Sequence, residues 1–180
     1  MPSTRKQTTT RINGKRVRIV TQNGKTVVTD APIEEWKLQA AGVRAQRGMP
    51  EYVDDPKDVK PSTFTIAGDF NAARRSMREQ VKAKATGLTP GEHDERIYMF
   101  GGVMGLIEFK GAETPVSRDQ KKRHALLAAL GFTRQAIVKA ATEEDAADQA
   151  VSVVRGWLAA NDNQHAVAEK IAADVRKNAA

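Results

Sequence analysis

Cysteine is absent from the 180-residue sequence, which excludes disulfide bonds, thiolate nucleophiles and cysteine-ligated metal sites. Aromatic residues make up only 5% of the chain, so a hydrophobic core must consist mainly of Ala, Val, Leu and Ile. No apolar run approaches the roughly 18 residues of a membrane-spanning helix, and no signal-type hydrophobic stretch follows the basic N-terminus. These absences predict a cytoplasmic protein that does not associate with membranes.

Acidic residues are missing from the first 29 positions, which carry seven basic residues. Because 29 bases minus 22 acids leave +7 for the whole chain, this segment holds the entire formal surplus. The seven are Arg5, Lys6, Arg11, Lys15, Arg16, Arg18 and Lys25. A basic arm on a neutral body is typical of nucleic-acid contact, because bound phosphates release their counterions. A solvated tail that keeps the protein soluble explains the same charge, and the charge alone does not separate the two interpretations.

The N-terminal segment has a polar start followed by a hairpin pattern. Residues 1–10, MPSTRKQTTT, are predicted to be disordered because they contain almost no apolar residues. The run RVRIVTQNGKTVVTD alternates polar and apolar residues on both sides of Asn23-Gly24, a dipeptide that favours a type I′ hairpin turn. Residues 1–30 are therefore predicted to form a basic arm with an appended β-hairpin.

The rest of the chain alternates helical and strand patterns, which are separated by Gly, Pro, Ser and Thr. The predicted order is a helix opened by Asp30 and Pro32 and ending at Gly48, a strand TFTIAG, a basic helix from Ala72 to Thr86, strands ERIYMF and VMGLIEFK, a helix from Ser117 to Leu130, a strand RQAIVKA, and a helix from Thr142 to Ala160. A final helix is predicted from Gln164 to Lys177, within a C-terminal segment 161–180. This order predicts an α/β fold with a small mixed sheet flanked by helices.

The segment GLIEFKG places an acid and a base two positions apart in an apolar run. On a strand, Glu108 and Lys110 point to the same face, whereas Ile107 and Phe109 point to the other. A Glu-x-Lys pair on a strand is most often a solvated ion pair of modest energy, so by itself it is weak evidence for catalysis.

An upstream carboxylate strengthens the case for a site. Asp94 stands at the start of the preceding predicted strand, and a three-residue loop FGG with Gly102 in the left-handed region pairs it with Glu108. A two-residue turn would instead put the two carboxylates on opposite faces. Two carboxylates and the Phe109 backbone carbonyl form an oxygen-only ligand set, which favours Mg²⁺ or Mn²⁺ over Zn²⁺. Lys110 would then contact the attacking water or the scissile phosphate.

Several segments in order resemble the virus-type replication-repair nuclease domain (VRR-NUC) of the PD-(D/E)XK nuclease superfamily, over about residues 32–159. PIEEWKLQ resembles the first helix of that family, with its glutamate at Glu35. GDFNAARRS resembles the Asn and basic residues before the second helix, and GLTPGEHD resembles the Gly-x-Pro-Asp turn that supplies Asp94. GLIEFK matches the Glu-x-Lys strand, and SRDQ matches the Ser-x-x-Gln that opens the next helix at Gln120.

The resemblance implies a restriction-endonuclease-like core over residues 31–160 and a metal-dependent DNA endonuclease. It adds Gln120 to the site, and it adds Glu35 as a contact to the metal or to its water. It implies action on branched or replicating DNA, such as Holliday junctions, in phage or bacterial replication and repair, and it leaves a homodimer open. The residues predicted to bind DNA are Asn71, Arg74, Arg75, Arg78, Lys82 and Lys84, which form a basic cluster, and Arg16 and Arg18 of the arm.

Some of these residues have simpler explanations. Ser117 and Gln120 form a capping-box pattern that secures a helix start, and Glu35 favours the positive end of its own helix. Basic clusters are commonly solvated helix faces. His93 stands where the family usually has proline, so it does not restrict φ at the residue before Asp94; an exposed histidine without a role is the expectation for it. His124 and His165 are too isolated in sequence to predict a metal site.

A different class of function is also compatible with part of the chain. LGFTRQAIVKA, within residues 126–140, resembles the turn and recognition helix of a helix-turn-helix protein, with Arg134 and Gln135 facing bases. That hypothesis leaves GLIEFK and Asp94 unexplained. The two hypotheses differ at residues 134–140, which the nuclease fold requires to be a strand in the sheet that carries Glu108. A third hypothesis keeps the nuclease fold but not the activity, because of His93.

Overall fold

A computed structural model of the protein describes residues 5–69 and 77–178. The chain divides into two compact units, Met1–Glu34 and Glu35–Ala180. The described residues form a mixed α/β protein with two small sheets, of three and four strands. In the part of the chain that is described, no helix has the length and apolar character needed to cross a membrane.

The N-terminal unit is an antiparallel sheet of three strands in the order β1-β2-β3. The strands are β1 (Arg5–Ile12), β2 (Lys15–Gln22) and β3 (Lys25–Asp30). The two turns that join them are Asn13-Gly14 and Asn23-Gly24, and all four residues have positive φ, between 49° and 78°. The hairpin predicted around Asn23-Gly24 is therefore confirmed, because this dipeptide adopts the backbone conformation that a type I′ turn requires.

The prediction of disorder over residues 1–10 is wrong for residues 5–10, which lie in β1 and pair with β2. Three consecutive threonines, Thr8 to Thr10, are β-branched and favour strands despite their polarity. The first Asn-Gly turn then brings this strand against β2, whose backbone groups complete its hydrogen bonds.

The second unit, residues 35–180, is built on a four-stranded sheet of order β4-β5-β6-β7. Its strands are β4 (Phe64–Gly68), β5 (Glu95–Met99), β6 (Val103–Gly111) and β7 (Gln135–Ala140). β4 and β6 run antiparallel to β5, and β7 runs parallel to β6, so the sheet is mixed as predicted. The strand at 135–140 contradicts the helix-turn-helix hypothesis, because a recognition helix cannot occupy these residues.

Four α-helices accompany the sheet within the described part of this unit: α1 (Glu35–Arg47), α2 (Met77–Ala85), α3 (Arg118–Ala129) and α4 (Glu143–Asn178). α1 and α4 pack on the face of β6 that carries Ile107 and Phe109. Gly42 of α1 allows this approach, since a Cβ there would lie 2.7 Å from the Phe109 ring. Likewise, a Cβ at Gly105 would overlap the Trp157 indole of α4. The opposite face of β6 carries Glu108 and Lys110.

The prediction of two separate C-terminal helices is wrong, since α4 is continuous over 36 residues. The polar run Asn161-Asp162-Asn163 lies between the two helices that were predicted. Asn161 is instead 1% exposed, and its Nδ2 donates a hydrogen bond to the Phe100 carbonyl at 3.0 Å. Because the Phe100 carbonyl takes the Asn161 amide N–H, this donor does not compete for the helix backbone, and no Gly or Pro stops the helix there.

Candidate active site

The register of the β5–β6 hairpin brings Asp94 beside Glu108. The connecting loop is Phe100–Gly102, in which Gly101 and Gly102 have φ of 79° and 75°. Glu95 pairs with Ile107, so the next position outward places Asp94 opposite Glu108. The Phe109 N–H donates to Asp94 Oδ2 at 2.8 Å. The three-residue loop predicted from the sequence is therefore confirmed, with a second left-handed glycine in addition to the expected one.

Asp94 is held through its backbone as well as through its carboxylate. Its carbonyl accepts hydrogen bonds from Gln39 Nε2 and from the Asp69 N–H, each at 2.7 Å. The preceding loop lies tightly against the start of α3, because a Cβ at Gly91 would lie 2.5 Å from the Asp119 backbone. These contacts fix the position of Asp94 although the residue directly before it is His93 and not proline. Gln39, which sequence analysis missed, lies one helical turn after Glu35 on α1.

Lys110 joins two carboxylates that are far apart in sequence. Its Nζ lies 2.9 Å from Glu108 Oε1 and 3.0 Å from Glu35 Oε2. Glu35 Oε1 also accepts a weak hydrogen bond from the Gly111 N–H at 3.5 Å. Glu108 and Lys110 are buried, at 1% and 5% exposure, so this pair is not the solvated surface pair that a Glu-x-Lys pattern usually forms.

Gln120 performs the capping role and contacts the site at once. Its Oε1 accepts from the Ser117 N–H at 2.8 Å, and its N–H donates to Ser117 Oγ at 3.2 Å, which completes a capping box. Its Nε2 donates to Glu108 Oε1. The two interpretations of Ser117-x-x-Gln120 are therefore compatible, because the amide has an acceptor for the helix and a donor for the carboxylate.

Burial and mutual charge shift the ionisation of this cluster. Burial and the neighbouring Asp94 raise the pKa of Glu108 to about 7. Burial also raises the pKa of Asp94, although the Phe109 N–H and the Lys110 charge oppose the shift. Burial alone would lower the pKa of Lys110, but its contacts with Glu108 and Glu35 outweigh this effect and raise it. Two neighbouring carboxylates repel each other when both are ionised, and a bound cation would relieve this repulsion.

The expectation for His93 is wrong, since the side chain is fully buried. Its ring stacks on that of His124, with centroids 3.8 Å apart and planes at 19°. Burial lowers the pKa of His93 to about 3, so the ring is neutral at physiological pH. His124 Nε2 in turn lies 3.8 Å from Glu108 Oε2. The sequence carried a signal for His124, because it lies four residues after Gln120 and hence on the same face of α3.

A second buried acid lies on the opposite face of β5. Glu95 is fully buried near Gln46 of α1, and burial raises its pKa to about 8. At neutral pH it is therefore largely protonated. Strand alternation separates it from Asp94, which points to the face of Glu108. Sequence analysis did not identify this residue as part of the core.

The structure describes only some of the side chains predicted to bind DNA. Asn71, Arg74 and Arg75 lie outside the described residues, as do the side chains of Arg78 and Lys84; Lys82 is exposed on α2. Arg16 donates to the Pro32 carbonyl at 2.8 Å, and its guanidinium lies 3.6 Å from Glu34. Arg18 is a half-buried residue of β2.

The two base-reading residues of the helix-turn-helix hypothesis are engaged within the protein. Arg134 Nη2 donates to Gln164 Oε1 at 3.2 Å. Gln135 Nε2 donates to the carbonyls of Phe132 and His124 at 2.7 and 3.0 Å. These contacts add to the evidence of the β7 strand against a recognition helix.

The donor set at Asp94 and Glu108 is chemically suited to a hard divalent cation. Glu108 Oε2 is buried and lacks a hydrogen-bond partner within the protein. The Phe109 carbonyl lies on the same edge of β6 as the N–H that bonds Asp94, because both groups of a strand residue point the same way. Over residues 5–69 and 77–178, no three Asp, Glu or His side chains form a ready metal cluster. The protein thus offers two carboxylates and one carbonyl, and water or substrate oxygens would have to supply the remaining ligands.

No protein-family model matches this chain, and neither a curated protein nor a solved structure matches it significantly.

Proposed function

We propose that residues 35–180 form a metal-dependent endodeoxyribonuclease with a restriction-endonuclease-like core, similar to the VRR-NUC domain of the PD-(D/E)XK superfamily. The observation that carries this proposal is the convergence of the half-buried Asp94 with the buried Glu108 and Lys110. Their side chains meet where a carboxylate oxygen of Glu108 is left without a partner. A structural ion pair alone would not need the second acid, whose presence raises the pKa of Glu108.

Asp94, Glu108 and the Phe109 carbonyl would hold Mg²⁺ or Mn²⁺, with Glu35 contacting it through water. When bound, the cation neutralises charge on the scissile phosphate and lowers the pKa of a water molecule. Hydrolysis adds the water oxygen to phosphorus and breaks one P–O ester bond. The protein's contribution is to keep the two carboxylates together in a preorganised arrangement, with Asp94 fixed by the Phe109 N–H and Glu108 fixed by Gln120 and Lys110.

Lys110 remains protonated, because contacts with Glu108 and Glu35 raise its pKa. Its ammonium group stabilises the negative charge that develops on the phosphate, or it steadies the nucleophile. Glu35 and Glu108 fix its direction, and Gln120 fixes one oxygen of Glu108. The second oxygen, Oε2, is thereby left for the cation.

The resemblance favours branched or replicating DNA as the substrate, in phage or bacterial replication and repair. The test incubates the purified full-length protein with linear, flapped and four-way-junction DNA, in Mg²⁺, Mn²⁺ or a chelator. We expect cleavage with either metal and none with the chelator. Binding of DNA without cleavage in any metal would favour the hypothesis of an inactive nuclease fold and overturn the proposed activity.

A matched pair of variants localises the activity to one face of the sheet. Glu108→Gln keeps the side-chain shape but removes a ligand charge, so we expect weaker metal binding and cleavage that falls on the order of a hundredfold or more. Glu95→Gln makes the same exchange at a buried acid on the opposite face, and we expect wild-type cleavage. Equal activity of the two variants, with contaminating nuclease excluded, would contradict the proposed site.

A further inference from the structure

The register of the N-terminal sheet sorts its charged residues between two faces. Residues directly opposite each other on neighbouring strands share a face, and successive residues along a strand alternate. Arg5 pairs with Gln22, which pairs with Lys25, so these three side chains lie on one face. Every second residue along each strand then lies on this same face.

The face that contains Arg5 carries five cations and no acid. Its charged residues are Arg5, Arg11, Arg16, Arg18 and Lys25. Its uncharged residues are Gln7, Thr9, Val20, Gln22, Val27 and Thr29. We call this surface the basic face. Arg5, Arg11 and Lys25 are exposed, and Arg16 and Arg18 are half-buried.

The opposite face has nearly balanced charge and contains most of the apolar residues. Its charged residues are Lys6, Lys15 and Asp30, and Lys15 Nζ lies 3.0 Å from Asp30 Oδ1. Its apolar residues are Ile12, Val17, Ile19 and Val28. The seven basic residues of the segment are thus divided five to two, and the only acid of these strands lies with the two.

The basic face also contains a directly opposed pair of like charges, because Arg11 of β1 pairs with Arg16 of β2. Like charges in this position destabilise a sheet unless an anion or acid neutralises them. Glu34 lies 3.6 Å from Arg16, and the Pro32 carbonyl accepts from it. Arg11 lies opposite Arg16 on an edge strand and is exposed.

We propose that the basic face binds the phosphate backbone of duplex DNA, independently of base sequence and of any cleavage by residues 35–180. Strand geometry makes the face about 20 Å long, from Arg5 to Arg11, and about 10 Å wide across three strands. A length of about 20 Å of duplex carries about twelve backbone charges. The complementary charge and the matching dimensions identify duplex DNA as the partner.

Three properties of the segment distinguish this partner from the alternatives. Residues 1–34 contain no Phe, Tyr, Trp or His, whereas proteins that bind single strands without sequence preference stack bases on aromatic rings. Cations that only keep edge strands soluble have no reason to share one face. Anionic membranes usually recruit basic surfaces that also carry large apolar or aromatic side chains, and the basic face has only two valines.

The test compares two double variants of the full-length protein that remove the same charge from opposite faces. Arg5→Gln with Lys25→Gln changes the basic face, and Lys6→Gln with Lys15→Gln changes the other. Binding to short duplexes of two unrelated sequences is measured by fluorescence anisotropy over a range of NaCl, with a chelator present to prevent cleavage. We expect the first variant to reduce the log–log salt slope by about 1.8, equally for both sequences, and the second to keep the wild-type slope.

A charge-retaining variant, Arg5→Lys with Lys25→Arg, controls for disturbance of the sheet and should keep the wild-type slope. Equal losses of slope in the two glutamine variants would show that only net charge matters and would overturn the proposal. A wild-type slope in the first variant would overturn it too. Stronger binding to phosphatidylserine vesicles than to duplex DNA, with the same dependence on Arg5 and Lys25, would identify a membrane surface instead.

Discussion

Side chains alternate between the two faces in both sheets of the protein, but the two sheets differ in how much of these faces is buried. In β1–β3 only Val17 is buried, and polar side chains occupy both faces. In β6 every residue from Gly105 to Gly111 is buried, on the face toward α1 and α4 and on the face of Glu108. The first sheet depends on turn chemistry and backbone pairing, whereas the second depends on side-chain packing.

This difference determines what a charged residue does in each sheet. The Lys15–Asp30 pair is exposed, so water screens it and its contribution to stability is about 1 kcal/mol or less. Lys110 is buried between Glu108 and Glu35, and the pKa values of the buried groups shift accordingly. Charge in the N-terminal sheet is therefore suited to long-range attraction, and charge in the four-stranded sheet to local chemistry.

The largest expected effect concerns the buried cation. Lys110→Ala should lower the cleavage rate by about a hundredfold, the typical loss for one charge-stabilising group, while metal binding is largely retained. Lys139→Ala is the matched control, because Lys139 pairs with Lys110 in the register but is exposed. Single-turnover cleavage and metal titration measure the two effects. Equal rates for the two variants would place Lys110 outside the chemistry.

A smaller effect concerns packing against the four-stranded sheet. Gly105→Ala should lower the free energy of unfolding by about 1 to 3 kcal/mol, because the added methyl overlaps the Trp157 indole. Gly156→Ala, on α4 with open space around it, should raise stability by about 0.5 to 1 kcal/mol. Urea denaturation followed by tryptophan fluorescence compares them. A neutral Gly105→Ala would mean that α4 does not pack closely on β6.

We expect the raised pKa of Glu95 to make the free energy of unfolding depend on pH, by about 1 kcal/mol or more. Burial raises its folded-state pKa to about 8, so between about pH 4.5 and 8 the folded protein holds a proton that the unfolded chain releases. The contribution of Glu95 to stability is therefore present below this window and is lost as pH rises through it. Glu95→Gln imitates the protonated acid and should make the fall in stability less steep.

Denaturant midpoints measured at several pH values across this window compare wild type with Glu95→Gln. Glu144→Gln provides the control, because this acid is exposed in the first turn of α4. The stability of the Glu144→Gln variant should change with pH as that of wild type does. If Glu95→Gln did so too, Glu95 would be ionised in the folded protein and the described burial would be incorrect.

The smallest effect is expected in the N-terminal sheet. Val27→Thr and Val28→Thr should each change stability by less than about 0.5 kcal/mol, because these side chains are 57% and 53% exposed and threonine also favours strands. The same exchange at Val138 of β7, which is 1% exposed, should cost about 1 to 3 kcal/mol. Similar costs at both places would show that β3 is covered by another surface in solution.

Local patterns predicted much of the fold. Alternation and turn residues located the hairpin at Asn23-Gly24, the strands of the mixed sheet and the FGG register, since each depends on neighbours within a few residues. The predictions were wrong where contacts between residues distant in sequence determine the structure. β1 forms because β2 completes its hydrogen bonds, and α4 continues because Asn161 finds the Phe100 carbonyl.

The sequence by itself determined which side chains share a strand face, and so placed Glu108 with Lys110 and, through the loop length, with Asp94. Only the tertiary structure decided that Lys110 meets Glu35, 75 positions away, and that His93 is buried on His124. It also decided the protonation of these groups. Hydropathy and periodicity describe short-range order, whereas desolvation and charge–charge coupling depend on which segments pack together.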